Sequence, residues 1–395
     1  MYSKSVLTYL LLILFVACKS TPQKKTRLPD GTEVLGVVDA EVEKVDLNPF
    51  LKKSEYDLSS YIKEAKLIPL ETTEASLLGR ISDVIMTSTH IYIRDNSKGH
   101  GIFIFDNKGK YITQIKKGQG PGELLRVSDM AFDNSNQELL VSQRNLMSYY
   151  SPNGKFVRNS KIPFYFAEFD ITKDGYIFYK HDSQSDPSLG ESDSYNIIIT
   201  NKQCKIKQVG MPSTYKKCRF YTKSYMQENG YLSHRFSDTI FQYRHLDNML
   251  YSKYILDFSS KKVSDNLLAK LSPRDLMKQD DYYFLGDFLE TSKHSFFSLL
   301  SHRKKLYLFR DKKTKKVIGG TKVMRNNLFP RAGVAYRPMF ASGDYFITIY
   351  TLPHPKFRES FVDHSTIFSE EDKLIAKSMK MEENPALILY TLKEF

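Results

Sequence analysis

From Tyr61 to the C-terminus nearly every residue belongs to a short alternating or fully apolar run bounded by Gly, Asn, Asp or Lys turns, and these runs recur in sets of four. A chain patterned this way is confined to all-β folds assembled from repeated sheets. The clearest set is Ile81–Met86, His90–Arg94, Ile102–Phe105 and Lys110–Ile115. Its last hairpin turns through Asp106-Asn107-Lys108-Gly109, where glycine takes the positive φ that a tight turn requires. Four antiparallel strands in about 40 residues make one propeller blade.

The plan repeats. A second set is Val127–Phe132, Glu138–Ser142, Leu146–Tyr150 and Lys155–Ile162, with Gly154-Lys155 standing 45 residues after Gly109-Lys110. A third is Ala167–Ile171, Tyr176–Tyr179, Tyr195–Thr200 and Lys205–Val209. A fourth is Phe220–Met226, Tyr231–Arg235, Thr239–Tyr243 and Leu250–Leu256. A fifth is Tyr282–Leu289, Ser295–Leu300, Leu306–Phe309 and Lys316–Gly319. The sixth supplies three strands, Tyr336–Phe340, Tyr345–Tyr350 and Ala386–Leu392. Lys66–Leu70, from before the first set, is the simplest source of its fourth strand, and a ring closed in this way leaves no sheet edge at the join. Two stretches change period. Val263, Leu267, Leu268 and Leu271 between 259 and 279 predict a short helix. Phe368, Leu374, Ile375, Met379 and Met381, in the excursion from 352 to 385, predict a helix capping one face. The expected fold is therefore an all-β, six-bladed β-propeller of four-stranded antiparallel blades, closed by an N-terminal strand joining the C-terminal blade, with short helical insertions. It occupies residues 61–395.

The N-terminus reads as an export signal. Lys4 precedes an apolar stretch from Val6 to Ala17, too short and wrongly flanked for a membrane span. Leu14-Phe15-Val16-Ala17-Cys18 resembles a bacterial lipobox, in which Cys18 is lipidated and becomes the mature N-terminus. Residues 1–17 are then a lipoprotein signal peptide and 18–60 a tether and N-terminal extension, with Lys19 to Lys25 suited to a flexible link. No acidic residue directly follows Cys18, which favours an outer-membrane anchor facing the periplasm. Losing Lys4 leaves the mature chain one unit below the formal +13 of the whole. That balance suits anionic headgroups or glycans; no nucleic-acid motif appears. In an oxidising compartment Cys204 and Cys218 are able to bridge, or remain two thiols. Nine scattered histidines without a His-x-x-x-His or Cys-x-x-Cys pair predict neither metal nor cofactor.

The stretch Lys116-Lys117-Gly118-Gln119-Gly120-Pro121-Gly122-Glu123 resembles the Gly-x-Gly-Pro-Gly-Glu loop of the six-bladed β-propeller lipoproteins related to NHL-repeat and TolB-like propellers. Leu67-Ile68-Pro69-Leu70-Glu71-Thr72, Ser237-Asp238-Thr239-Ile240-Phe241 and Glu383-Asn384-Pro385-Ala386-Leu387-Ile388-Leu389-Tyr390 are similar to further motifs of that family. The resemblance implies the fold and an envelope location, and carries over no activity or catalytic residue. As a phosphate cradle the Gly-rich loop lacks the following helix and the Lys-Ser/Thr ending. A rigid inter-blade corner, with Glu123 holding neighbouring amides, is the plainer expectation.

In a propeller the inter-blade connections and the loops between second and third strands gather on one face, and function has to be argued from that face. The pattern places Glu123, Arg126, Arg144, His181, Asp182, Arg219, His234, Arg235, His302, Arg303, Arg337 and His354 on or near it. Arginines so grouped suit carboxylate, sulfate or phosphate through bidentate hydrogen bonds. The acidic loop from His181 to Ser194 is a candidate flap without calcium-loop spacing. With 26 Tyr, 26 Phe and no Trp, the aromatic content fits strands stacking blade on blade. The expectation is a monomeric, membrane-anchored binding or scaffold protein for an anionic glycan, peptide or envelope protein. The alternative is a lyase or hydrolase using His234 with Arg235, or His302 with Arg303, as acid/base and charge clamp.

Overall fold

The structure, a computed structural model, describes residues 26–39, 42–97, 101–180, 185–213, 226–227, 230–244, 246–302, 304–323, 337–351, 365 and 367–395. Six four-stranded antiparallel blades follow one another along the chain. From inner to outer strand, blade one is Ile81–Met86, His90–Asp95, Gly101–Asp106 and Tyr111–Ile115. Blade two is Asp129–Asp133, Glu138–Gln143, Leu146–Tyr150 and Phe156–Lys161. Blade three is Glu168–Ile171, Gly175–Tyr179, Tyr195–Asn201 and Ile206–Pro212. Blade four is Met226–Gln227, Tyr231–Ser233, Thr239–Arg244 and Met249–Asp257. Most of the expected inner strand from Phe220 to Met226 lies outside the described residues. Blade five is Tyr283–Glu290, His294–Ser301, Lys304–Asp311 and Val317–Gly320. Blade six is Phe340–Ser342, Tyr345–Tyr350, Ala386–Leu392 and Ile62–Pro69.

Burial follows position in the blade. Gly175–Tyr179 and Ala386–Leu392 are buried along their whole length, because strands in the middle of a blade have a neighbouring blade on each face. The outer strand Met249–Asp257 instead alternates between half-buried and buried, since only one face meets the rest of the molecule. Aromatic rings fill the gaps between blades. Phe166 lies 4.7 Å from Phe178, and Phe164 lies 5.2 Å from the same ring, between blades two and three. Tyr254, Phe288 and Phe297 do the same between blades four and five.

The ring is closed by the two ends of the chain. Ile62–Pro69 pairs antiparallel with Ala386–Leu392, setting Leu67 opposite Ile388 and Ile68 opposite Leu387. Asn384 locks this join: its side chain accepts from the Leu78 amide (2.8 Å) and donates to the carbonyls of Glu71 (2.9 Å) and Ser76 (2.8 Å). Its own amide donates to Thr72 Oγ1 at 2.7 Å. The helix Glu370–Ser378 is set by a capping box between Ser369 and Asp372, and Asp372 Oδ1 also accepts from the Leu67 amide at 2.9 Å. Phe368, Ala376 and Met379 are buried beneath it, whereas Leu374 and Met381, expected on the same stripe, are 68% and 49% exposed. Leu374 is two residues from both Asp372 and Ala376, about 200° around the helix, so the side that packs inward turns it to solvent. The other predicted helix forms as two short pieces, Asp265–Lys270 and Pro273–Leu276, with Ser264 capping the first.

The N-terminal extension is a strap around the outside of the ring. Glu33–Val34 pairs parallel with the outer strand of blade three, then Val37–Val38 and Glu43–Asp46 with that of blade four. Glu55–Tyr56 pairs with Lys322–Val323, just beyond blade five, before the chain becomes the outer strand of blade six. Outer strands present unpaired amides and carbonyls, and the strap satisfies them. Glu43 binds it more tightly, as counter-ion to the fully buried Arg310 of blade five and to Lys315 at 3.0 Å.

Asn384→Ala removes three side-chain hydrogen bonds at the join and leaves buried backbone groups unpaired, so a loss of about 3 kcal/mol is expected. Urea unfolding monitored by tyrosine fluorescence measures it, and a loss below about 1 kcal/mol would mean that the join is held elsewhere.

Candidate functional site

The inner strands of blades one, two, three, five and six line an axial channel with a cavity volume of about 2200 Å³. One mouth is built from inter-blade connections and from loops between second and third strands. The other is built from hairpin turns of the inner strands, with Asp133, Lys173 and Asp344, and from the turn after the third strand of blade three, with Lys202.

The throat is lined by carboxyl groups of the inner strands. Asp83 of blade one and Asp129 of blade two flank Arg94, whose guanidinium lies 3.4 Å from Asp83 Oδ2 and 3.8 Å from Asp129 Oδ1 and donates to the Ser128 carbonyl. Asp129 Oδ2 accepts from the Phe169 amide of blade three at 2.9 Å, so a single chain of contacts ties three blades together around the axis. Burial pushes the Asp129 carboxyl well above the usual carboxylate range; Arg94 opposes this, while Glu168 and Asp83 add to it. Asp170, also on the wall, accepts only from its neighbour's amide, Ile171 at 2.7 Å, among the described contacts, and burial pushes it up to about 6. Across the channel Asp287 of blade five accepts from Arg337 (2.6 Å) and Ser298 (2.7 Å), with Lys305 at 3.6 Å.

The mouth over blades one to three has the opposite character. Arg80, Lys117, Arg126 and Arg144 line it, all are exposed, and no carboxylate among the described residues lies within ion-pair distance of any of them. Arg144 sits at φ +55° in the two-residue turn between Gln143 and Leu146, a conformation that ordinarily favours Gly, Asn or Asp. The Leu125 amide donates to Gln143 Oε1 at 2.7 Å, which fixes Arg126 beside that turn. Leu125 and Tyr165, 61% and 55% exposed, share the same lip. Tyr165 is held from behind, its amide donating to Asp186 Oδ2 at 2.7 Å.

The residues singled out from sequence are thus only partly brought together. Arg126, Arg144 and Arg337 line the channel. Glu123 is not on its wall: its carboxylate accepts from the Gly120 amide at 2.8 Å and pins the Gly-rich corner, leaving no room for a Cβ at Gly118. His234 and Arg235 are buried, with His234 Nδ1 2.7 Å from the Tyr179 hydroxyl. His302 follows the second strand of blade five, and its Nδ1 lies 3.0 Å from the Lys278 carbonyl at the end of the helical insertion. None of these last three lines the cavity. Cys204 is a buried free thiol that burial pushes up to about 11. Cys18, His181, Asp182, Cys218, Arg219, Arg303 and His354 lie outside the described residues. The throat was not among the residues expected from the sequence, although its signal is there: Ser82-Asp83 and Ser128-Asp129 set the same polar pair at or beside the inner strands of two successive blades. No group of three or more potential metal ligands occurs among the described residues, and none of their helices is long and apolar enough to cross a membrane.

Residues 42–391 match a family model described as a domain of unknown function, DUF4934. The chain belongs to that family. Among solved structures it is similar to a "Putative exported protein" of Bacteroides fragilis, with a TM-score of 0.69 at 16% identity over 89% of this chain and 99% of the other. A protein of unknown function from Bacteroides caccae aligns with 61% of this chain and 81% of its own length, at 10% identity and a TM-score of 0.37. The first likeness supports the propeller and nothing finer. Comparison with curated proteins returns no match.

The channel makes one stability prediction. A carboxyl whose pKa is raised on folding favours the folded state below its unfolded value of 3.8, and that contribution is lost as pH rises through about 6. Asp170→Asn should therefore be neutral near pH 4 and increasingly stabilising towards pH 7, as read from thermal midpoints across that range. A constant difference at all pH values would contradict it.

Proposed function

We propose that this DUF4934 protein is a lipid-anchored envelope protein, held at the outer membrane through Cys18 and facing the periplasm. Its propeller presents a cationic channel mouth to an anionic glycan, peptide or protein partner. The observation that carries the reading is the group Arg80, Lys117, Arg126 and Arg144, four exposed cations without a carboxylate partner among the described residues on one arc of one cavity. Charges that are not spent on the protein's own acids are available to a ligand, and arginine in particular matches planar oxyanions. The adjacent Leu125 and Tyr165 add surface for the uncharged part of such a ligand. The lyase or hydrolase reading draws no support from His234, Arg235 or His302, which do not reach the cavity.

Two measurements test the two halves of the reading. Cys18→Ser should release the protein from the membrane fraction, and retention there would remove the lipid anchor. Arg126→Glu combined with Arg144→Glu should abolish retention on immobilised acidic glycans and acidic peptides at low ionic strength, where wild-type protein is held and then eluted by salt. Equal retention of the variant would place binding elsewhere.

A further inference from the structure

The channel is graded along its axis, and the gradient specifies more about a ligand than its net charge does. Its mouth over blades one to three carries cations without a carboxylate partner among the described residues, whereas its throat carries acceptors: Asp83, Asp129, Glu168 and Asp170 on three successive inner strands. The cation among them, Arg94, is already engaged by Asp83, Asp129 and the Ser128 carbonyl. A ligand matching both zones has oxyanions at one end and many hydrogen-bond donors, without further negative charge, at the other.

We infer that the channel takes an acidic oligosaccharide end-on, its uronate carboxylates on Arg80, Lys117, Arg126 and Arg144, and the hydroxyls of its leading rings donating to the throat carboxyl groups. The inference rests on the anion-binding mouth proposed above and narrows it to one ligand class. Volume favours an oligomer, since about 2200 Å³ exceeds the several hundred Å³ of an ordinary small-molecule site. A lipid is disfavoured because its acyl chain would lie against carboxyl groups. An acidic peptide suits the mouth equally well, but offers about one backbone donor per residue, where a sugar ring offers several hydroxyls. Tyr165, exposed on the lip and fastened through Asp186, provides a planar face for a sugar ring.

The test uses the folded protein in calorimetric titrations with tetragalacturonate, tetraglucuronate, their methyl esters and hexaglutamate. One of the two uronates should bind. Its methyl ester, which keeps the hydroxyls and loses the charge, should bind about tenfold or more weaker, as should hexaglutamate. Arg126→Ala with Arg144→Ala should weaken the uronate by about tenfold or more and leave the ester unchanged. Glu168→Gln with Asp170→Asn should weaken uronate and ester alike, several-fold, while hexaglutamate is unaffected. The unfolding midpoint of each variant is measured alongside, and Arg126→Lys with Arg144→Lys serves as a charge-preserving control expected to keep most of the affinity. If ester and uronate bind equally, or hexaglutamate binds as tightly as the uronate, or the throat substitutions leave sugar binding unchanged, the glycan inference fails. In the hexaglutamate case sensitivity to Arg126 and Arg144 would preserve the broader anion-binding reading. Absence of any probe binding that depends on those two arginines would overturn both.

Discussion

Closure depends on the pairing between Ile62–Pro69 and Ala386–Leu392, because every other blade is made from consecutive strands and this one alone joins residues more than 300 apart in sequence. A ring of blades has no independent rigidity until its last sheet is complete; before that, two blade faces rich in apolar side chains stay exposed to water. Asn384 and Asp372 therefore sit at the point of greatest consequence. Each satisfies backbone amides of the N-terminal strand or its exit, and each is buried, so the hydrogen bonds act in a low-dielectric setting where leaving them unmade is costly.

The axial channel follows from the same geometry. Inner strands converge on the axis, and their side chains face a space too wide for them to fill. Polar residues on those strands, which would be intolerable between blades, are tolerated there. Arg94 serves Asp83 and Asp129 on one side and Arg337 serves Asp287 on the other, so the acids gather in the throat and the cations of the mouth stand apart from them. Separation of charge along the axis, more than the total charge of the chain, gives the site its character.

Much of the fold was legible in the sequence because turn chemistry and strand alternation are local. Gly109 and Gly154, both at positive φ, mark equivalent turns and yield the blade spacing directly. The closing strand was legible for a different reason: the sixth set lacked one member and the chain offered one apolar run to spare. The site was read less well. Loop arginines such as Arg126 and Arg144 reach the mouth, but His234 and Arg235, at the end of a predicted strand, are both buried, His234 against the Tyr179 hydroxyl. No local pattern distinguishes those outcomes, since both depend on how neighbouring blades meet. The throat was overlooked because an isolated acid within an apolar run reads as a flaw in the strand until the axis it faces is known. The extension ahead of the propeller was equally opaque, its two-residue strands being too short to register as a period.

That extension has a bearing on how the molecule reaches its final state. Glu33–Val34, Val37–Val38 and Glu43–Asp46 are synthesised before the outer strands of blades three and four on which they pair, and Ile62–Pro69 precedes its partner by almost the entire chain. The earliest residues must consequently wait, unpaired, until blades three and four are made, and Ile62–Pro69 can settle only when the C-terminal strand is present. Long-range pairing of this kind carries a heavy loop-closure entropy and makes for slow maturation. Until then the strap and the closing strand stay unlocked, and only the complete chain holds its leading residues in their final place.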